Sequence, residues 1–240
     1  MNTAYRELRF SARPEAARYA AAAVLPYVPS GRPAQIVDVG CGTGDTLLAI
    51  AQARPLARCV GIDMSEVNLA SAAEHVRKAG SGDNFRWVAG DYLSCTLSPA
   101  DIIFSESVMH LIPADAHIIF RKLKADLGPG GKALLIMPYE SIGNRLLIGV
   151  RRALRLVRNR AMDAVLLWIA RTLYPKWPIE ELRERLEYMY VVPLNLDGAE
   201  WRGHAKDCGL VLLETVPWKN TSFTKLRHRM LVFERADSAR

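Results

Sequence analysis

The most informative segment of this 240-residue chain reads Ile36-Val37-Asp38-Val39-Gly40-Cys41-Gly42-Thr43-Gly44. A short apolar run typical of a buried strand leads into three glycines at alternate positions, and a helical pattern begins just beyond them. Glycine is needed there because the backbone must turn tightly and let a ligand approach where a Cβ would obstruct it. The free amides at the start of the helix favour a negatively charged ligand group. The segment therefore predicts a strand, a ligand-binding loop and a helix.

Acidic residues follow the next two predicted strands. Asp63 ends the second strand, 19 residues after Gly44, and a carboxylate there can accept hydrogen bonds from both hydroxyls of a ribose. Each such charge-assisted bond contributes about 1.5–3 kcal/mol. Asp91 and Tyr92 follow the third strand, where an acid and an aromatic ring could hold an adenine. A dinucleotide-binding loop of the G-x-G-x-x-G type would need glycine at position 45, which is aspartate, so that spacing is not met.

Short apolar runs alternate with helical patterns along most of the chain. The predicted strands are Gln35–Val39, Cys59–Asp63, Phe85–Val88, Ile102–Ser105, Ala133–Met137, Leu210–Val216 and Met230–Phe233. The predicted helices are Pro14–Leu25, Thr46–Ala53, Val67–Ala79, Ala114–Leu127 and Ala199–Cys208. Gly128–Gly131 is expected to form a turn before the fifth strand. This alternation predicts an α/β fold of the Rossmann-like type, a mostly parallel sheet with helices on both faces and ligands at the carboxyl ends of the strands.

Composition narrows the class of protein. Half of the residues are hydrophobic and a quarter are charged, as in an ordinary globular domain, while the net charge of +7 hints at an acidic partner. Cys41, Cys59, Cys95 and Cys208 have no metal-ligand spacing, so we expect free thiols and no metal site. Charged residues interrupt the first 20 positions, and no uncharged apolar run is long enough to span a bilayer. We therefore expect a cytoplasmic protein.

These motifs resemble those of the class I S-adenosylmethionine (SAM)-dependent methyltransferase family. The matching segments are Val37–Gly44, Gly61-Ile62-Asp63, Gly90-Asp91, Ile102–Ser105 through His110-Leu111, and Leu127–Gly131. The resemblance implies a seven-stranded sheet with an antiparallel final strand, and SAM as cofactor, with S-adenosylhomocysteine as its product. The cofactor contacts expected from it and from the adjoining residues are Asp38, Gly40, Cys41, Gly42, Gly44, Asp63, Met64, Asp91, Tyr92 and Ser105.

Candidate catalytic residues follow the fourth strand. SAM carries an already activated methyl group. Alignment of the acceptor should therefore contribute most of the rate enhancement, because effective molarities reach about 10⁵–10⁸ M, whereas a general base accelerates a reaction by roughly 10²–10⁴-fold. His110 is the best candidate for a base, because an imidazole titrates near neutral pH, and a structural histidine is its alternative. Glu106 could be a base or a contact to the ammonium group of the cofactor. Tyr139 could line the acceptor pocket or simply pack.

Two further segments complete the expected single domain, 1–240. The lead-in, 1–33, carries Tyr5, Arg9 and Tyr19 and could fold over the cofactor or stay solvated. The segment 141–190 is predicted to be a helical insertion after the fifth strand that covers the substrate.

Within the insertion, one helical stripe is apolar and the opposite side is basic. The stripe comprises Leu146, Leu147, Val150, Leu154, Val157 and Ala161, and the basic side comprises Arg151, Arg152, Arg155 and Arg158. A lid would pack the apolar stripe on the domain and leave the arginines in water. The alternatives are peripheral contact of 142–173 with an anionic membrane, beside a pocket for a lipid-like acceptor, and docking of an acidic carrier protein or nucleic acid.

The sequence thus favours methyl transfer from SAM to the oxygen or nitrogen of a small molecule that is hydrophobic or linked to a carrier or lipid. One alternative is a methyltransferase that acts on nucleic acid or protein. The basic residues lie on one insertion, with no array of stacking aromatics, which argues against nucleic acid. A SAM-binding protein without catalysis is the other alternative. The sequence does not determine the oligomeric state.

Overall fold

A computed structural model describes residues 14–219 and 225–236 of the chain. Its strands are β1 (Ala34–Val39), β2 (Ala57–Asp63), β3 (Phe85–Ala89), β4 (Ala100–Glu106), β5 (Leu127–Pro138), β6 (Leu210–Pro217) and β7 (His228–Arg235). They form one seven-stranded sheet in the order β3-β2-β1-β4-β5-β7-β6. The first five strands are parallel, and β7 runs antiparallel between β5 and β6. The predicted fold class and the antiparallel final strand are confirmed.

Helices cover both faces of this sheet. Their bounds are α1 (Pro14–Val24), α2 (Asp45–Ala53), α3 (Glu66–Lys78), α4 (Ala116–Asp126), α5 (Ile142–Leu156), α6 (Arg160–Leu173), α7 (Ile179–Leu186) and α8 (Ala199–Asp207). One core packs Phe120 of α4 and Trp201 of α8 against Phe233 of β7. The other packs Val24 of α1 and Leu47 of α2 against the opposite face. Because both faces are covered, the central strands are mainly apolar, as in parallel sheets generally.

The order of the strands creates the cleft that matters for ligands. The chain passes from β1 outward to β2 and β3, then returns to place β4 on the other side of β1, where Asp38 lies opposite Phe104. Successive connections leave in opposite directions at this point, which opens a crevice at the carboxyl ends of β1 and β4. The glycine loop enters α2 directly above that crevice.

The start of β5 differs from the sequence prediction. The segment expected to be a turn, Gly128–Gly131, lies within the strand. Leu127 pairs with Ala100 of β4 and Lys132 pairs with Ile102, so the residues between them bulge out of the ladder. The prediction of a turn was wrong because a bulge uses the same glycines as a turn.

The insertion is helical, as predicted, but the predicted stripe is wrong. Leu146 and Val150 are exposed, whereas Arg151 is buried. The stripe also does not continue to Ala161, because α5 ends at Leu156 and the side chain of Asn159 caps α6 by accepting a hydrogen bond from the Met162 amide at 2.9 Å. The buried face of α5 is fixed by polar contacts that an apolar pattern does not reveal.

The part of the chain that the structure describes contains no helix long and apolar enough to cross a membrane. It also contains no cluster of ligating side chains suited to a metal ion.

Candidate functional site

The glycine loop is held against the end of β2 by backbone hydrogen bonds. The Ile62 carbonyl accepts from the amides of Gly40 at 2.7 Å and Cys41 at 3.0 Å. Gly40, Gly42 and Gly44 all have positive φ, the left-handed region that other residues rarely adopt. A Cβ on Gly40 would lie 2.2 Å from Cγ2 of Val108. The loop conformation and the close approach of Val108 therefore both require glycine at position 40.

Asp63 connects this loop to the start of α3. One carboxylate oxygen accepts from the Gly42 amide at 2.9 Å. The other accepts from the Ser65 amide at 2.9 Å and the Asn68 side chain at 3.3 Å. The Gly90 amide donates to the Asp63 carbonyl at 3.0 Å, which brings the end of β3 to the same place. Three strand ends thus converge at Asp63.

Two further carboxyl groups lie at the crevice. Asp38, at the end of β1, is 3 % exposed, and burial together with the nearby charges of Glu106 and Asp63 raises its pKa well above the usual range. Burial also raises the pKa of Glu106, at the end of β4, while a hydrogen bond from Trp218 and the charge of Lys225 oppose the shift. Burial disfavours the charged forms of these carboxyl groups, and a cation bound beside them would stabilise those charged forms. This crevice is therefore suited to a positively charged ligand.

The end of β4 carries the only non-glycine residue with positive φ in the described part of the chain. Ser107 has φ 61, and its amide donates to the Ile136 carbonyl at 2.8 Å. Just before it, the hydroxyl of buried Ser105 donates to the Val39 carbonyl at 3.0 Å and ties β4 to β1. Strained backbone of this kind concentrates at functional sites. Here it directs the chain after Glu106 over the glycine loop.

His110 lies in a buried group of basic side chains beside the crevice. Its ring is 4 % exposed and packs edge-on against His228 at a centroid distance of 5.9 Å. Burial, with the charges of His228 and Arg151, lowers the pKa of His110 to about 3. Burial lowers the pKa of His228 to about 4. Both imidazoles are therefore neutral near pH 7, and Nδ1 of His110 is buried without a hydrogen-bond partner among the described residues.

The insertion reaches this group through α5. The Asn144 side chain donates to the carbonyls of Tyr139 at 2.7 Å and Arg227 at 2.9 Å, and accepts from the Arg227 amide at 2.8 Å. Two turns later, Arg151 donates to the Val191 carbonyl at 3.0 Å. These bonds hold α5 beside the ends of β5 and β7, and therefore beside His110.

Comparison with known proteins agrees with this geometry. Residues 36–131 match the family model described as a methyltransferase domain. The chain is 32 % identical over 131 residues to a trans-aconitate 2-methyltransferase of Azoarcus sp., covering 53 % of this chain and 49 % of that protein. A trans-aconitate 2-methyltransferase of Variovorax paradoxus is 34 % identical over 117 residues, covering 48 % and 42 %. The chain thus spans about half the length of the curated relatives it matches.

Solved structures share the fold at low identity. Magnesium protoporphyrin IX methyltransferase from Synechocystis, determined with bound S-adenosylhomocysteine, superposes with a TM-score of 0.61 at 16 % identity, covering 93 % of this chain and 83 % of that one. Mitomycin 7-O-methyltransferase gives a TM-score of 0.58 at 17 % identity, covering 92 % and 54 %.

The comparisons support a class I SAM-dependent methyltransferase domain over residues 36–131. The comparisons support the resemblance stated from the sequence and the predicted cofactor, SAM. The site also fits SAM physically, because the buried carboxyl groups of Asp38 and Glu106 suit its sulfonium and ammonium charges.

The structure brings most of the predicted site residues together. Those at the crevice or in its loop are Asp38, Gly40, Cys41, Gly42, Gly44, Asp63, Ser105 and Glu106. Met64 follows Asp63 and is half-buried. Asp91 stands at the adjoining strand end, where one of its carboxylate oxygens accepts from the Leu93 amide at 3.0 Å.

Tyr92 is placed elsewhere. Its ring is 3 % exposed in the core, 5.1 Å below the Lys122 ammonium group. Asp91 caps a short 3-10 turn over Tyr92–Ser94, and this turn directs the ring away from the crevice. We therefore leave Tyr92 out of the proposed cofactor site.

Tyr139 has a packing position, with the Arg229 guanidinium 4.4 Å from its ring centroid. Of the lead-in residues, Tyr5 and Arg9 lie outside the described residues. Tyr19 packs on Trp218 at a centroid distance of 4.7 Å, and Trp218 donates to Glu106.

Sequence reasoning missed four residues at the site. They are Ser107, Arg151, Trp218 and His228. No local pattern marks Ser107 or His228. For Trp218, the only available signal was an aromatic residue at the end of a strand next to β7. The predicted stripe placed Arg151 on the basic side of the helix, opposite the apolar residues, and so gave no sign that it is buried.

Proposed function

We propose that this protein transfers the methyl group of SAM to a small-molecule acceptor. The observation that carries the proposal is the convergence of the glycine loop, Asp63 and the buried carboxyl groups of Asp38 and Glu106 at the switch between β1 and β4. A glycine loop alone would suit many nucleotides. The buried carboxyl groups favour a ligand that carries positive charge, and SAM carries both a sulfonium and an ammonium group.

Each part of the cofactor has a candidate partner in the chain. The loop from Gly40 to Gly44 and the carboxyl groups of Asp38 and Glu106 would hold the amino-acid end. Asp63 would accept from the ribose hydroxyls, and Asp91 would contact the adenine. The relatives' family and the position of these residues at strand ends support the assignment.

When bound, SAM supplies an activated methyl group, so the protein must mainly align the acceptor. We propose that His110 positions the acceptor and takes up its proton if the acceptor is a hydroxyl. Burial keeps the imidazole neutral, so a nitrogen lone pair is available, but a pKa of about 3 makes it a weak base. Replacement of His110 should therefore lower turnover by less than the roughly 10²–10⁴-fold that a well-matched base supplies.

We propose that the acceptor has an apolar part and enters beside α5. Leu147 and Leu154 are half-buried on this helix, which also carries Arg151, a charge that acts on His110. The contacts between α5 and the ends of β5 and β7 support a role for the insertion as a lid over this region.

A second candidate is a carboxylate acceptor, and Arg151 is the observation that favours it. This guanidinium is buried beside His110 and His228, and burial lowers its pKa, so an anion next to it would be stabilised. The curated relatives are named for methylation of trans-aconitate, an acid of this kind.

An acceptor panel separates these two candidates. Purified protein is incubated with SAM and either trans-aconitate and related polycarboxylates, or apolar hydroxy and amino compounds, and S-adenosylhomocysteine is measured. Arg151→Lys should raise KM for a carboxylic acid more than for its uncharged ester, a difference that general loss of folding does not produce. Failure to form S-adenosylhomocysteine with any acceptor, despite SAM binding, would favour a protein that binds SAM without catalysis.

A further inference from the structure

Two helices of the insertion expose an apolar surface. On α5, Ile142, Leu146 and Val150 are 80 %, 67 % and 52 % exposed. On α6, Trp168 and Leu173 are 69 % and 51 % exposed, and Val165 and Ile169 are also exposed. We refer to these seven side chains as the α5–α6 apolar surface. Large exposed apolar patches mark interaction sites in soluble proteins.

The spacing of these residues makes α5 two-sided, whereas α6 has no fully buried side chain. Ile142, Leu146 and Val150 recur every four residues and so share one face of α5. The residues that α5 buries, Asn144, Ile148 and Arg151, lie on the opposite face. The apolar face of α5 therefore points away from the domain while its other face contacts it.

The same segment carries the charge of the whole protein. Of the 32 basic residues, eight lie within 141–178, where Asp163 is the single acid. The other 24 basic residues are balanced by the other 24 acids, so the net charge of +7 resides in this segment. Seven of the eight basic side chains are exposed: Arg145, Arg152, Arg155, Arg158, Arg160, Arg171 and Lys176. Arg158 pairs with Glu187, and Arg145 lies 3.7 Å from Glu140.

We propose that the α5–α6 apolar surface docks on an anionic lipid bilayer. A helix that lies in the membrane interface needs an apolar face, flanking Lys and Arg residues and an aromatic side chain at the boundary. α5 and α6 supply the first two, and Trp168 supplies the third. The charge complementarity is specific, because the local excess of basic residues matches anionic head groups.

A second copy of this chain fits the surface less well. A symmetric dimer would place the same face on both partners, and the arginines that flank it would then oppose one another. The apolar side chains also favour a bilayer over nucleic acid, because in a complex with nucleic acid these side chains would remain exposed to water beside the phosphate groups.

The docking surface lies one helix away from the proposed acceptor region. Asn144 attaches the inner face of α5 to Tyr139 and Arg227, while the outer face meets solvent. Docking would therefore bring the entrance beside α5 close to the bilayer, where apolar acceptors concentrate. Binding of the α5–α6 apolar surface to a bilayer does not depend on methyl transfer.

The test is sedimentation of the purified full chain with vesicles, without SAM. The vesicles contain phosphatidylcholine alone or phosphatidylcholine with phosphatidylglycerol. We expect binding to the anionic vesicles that weakens with added salt. Trp168→Ser combined with Leu146→Gln should abolish it, and Arg152→Gln or Arg155→Gln should each weaken it about fivefold, the effect of one charge near such a surface.

Matched controls come from the opposite edge of the sheet. Leu56 is 57 % exposed, against 67 % for Leu146 and 69 % for Trp168, and Arg58 is an exposed base nearby, so Leu56→Gln and Arg58→Gln should bind like the wild type. All replaced side chains are exposed, and unchanged melting temperatures verify that the variants fold. Equal binding to neutral vesicles, no binding, or a dimer in size-exclusion chromatography that Trp168→Ser dissociates would each overturn the proposal.

Discussion

The backbone amide of Gly42 donates to the carboxylate of Asp63 at 2.9 Å, joining the loop after β1 to the end of β2. The same carboxylate accepts from the Ser65 amide, so a single side chain fixes both the loop and the entry to α3. Asp63 therefore orders the loop, and in the function proposed above it also offers an anionic acceptor to the cofactor. Asp63→Asn separates these two roles in part, because an amide oxygen can still accept from Gly42 but carries no charge.

Gly40→Ala tests the geometry of the loop. A side chain at φ 80 costs about 1–2 kcal/mol, and the close contact with Val108 adds to the loss. We expect a larger drop in the free energy of unfolding, measured in urea, than for Gly130→Ala, and a loss of SAM affinity. Gly130 is the matched control because its φ is 65 and no heavy atom lies within 4 Å of an added Cβ. Equal losses for the two variants would show that Val108 does not constrain the loop.

Cofactor binding should release protons through Asp38. Its pKa is raised by burial and by the charges of Glu106 and Asp63, and a bound cation lowers it again. A group whose pKa is raised in the folded state stabilises the fold at low pH and loses that contribution as pH rises. Calorimetric titration of SAM in buffers of different ionisation enthalpy should therefore give different apparent enthalpies, and Asp38→Asn should reduce the difference. Identical enthalpies in every buffer for the wild type would contradict this.

The buried histidines predict a loss of stability in mild acid. Burial lowers the pKa of His110 to about 3 and of His228 to about 4. In the unfolded chain the pKa of histidine is about 6.5, so below that pH the unfolded chain binds protons that the folded chain does not. The free energy of unfolding should be highest above that pH and fall toward pH 4 by up to about 1.4 kcal/mol per pH unit for each histidine. His110→Gln should flatten the curve, and a curve parallel to that of the wild type would refute the assignment.

Asn144 should matter for the acceptor and not for the cofactor. Its three buried hydrogen bonds attach α5, and their loss leaves backbone groups of Tyr139 and Arg227 unsatisfied, at a cost of about 1–3 kcal/mol. We expect Asn144→Ala to raise KM for the acceptor while the Kd for SAM stays unchanged. Asn84→Ala removes an exposed bond to the Pro55 carbonyl and serves as the control. Weaker SAM binding by Asn144→Ala alone would mean that α5 supports the cofactor instead.

The fold and the cofactor loop could be predicted because both depend on local signals. The sequence itself contains these signals: apolar runs of strand length, three glycines at alternate positions, and Asp63 at a strand end. The ends of parallel strands meet at one edge, so residues distant in the chain could be grouped before any coordinates were known.

The rest of the site depends on orientation, which the sequence does not encode locally. A 3-10 turn capped by Asp91 directs Tyr92 into the core, although its position in the chain suits an adenine contact. Arg151 is buried by polar contacts while apolar Val150 beside it is exposed, a reversal of the usual periodic rule. The contact between Trp218 and Glu106 joins segments far apart in sequence. Such features follow from tertiary packing.

Calorimetric titration of the purified protein with SAM tests the central claim most directly. We expect saturable binding of one SAM per chain, weakened about tenfold to a hundredfold by Asp63→Ala, since one charge-assisted hydrogen bond contributes about 1.5–3 kcal/mol. Absence of any binding heat for SAM and S-adenosylhomocysteine in a folded sample, or an affinity that Asp63→Ala leaves unchanged, would contradict the account.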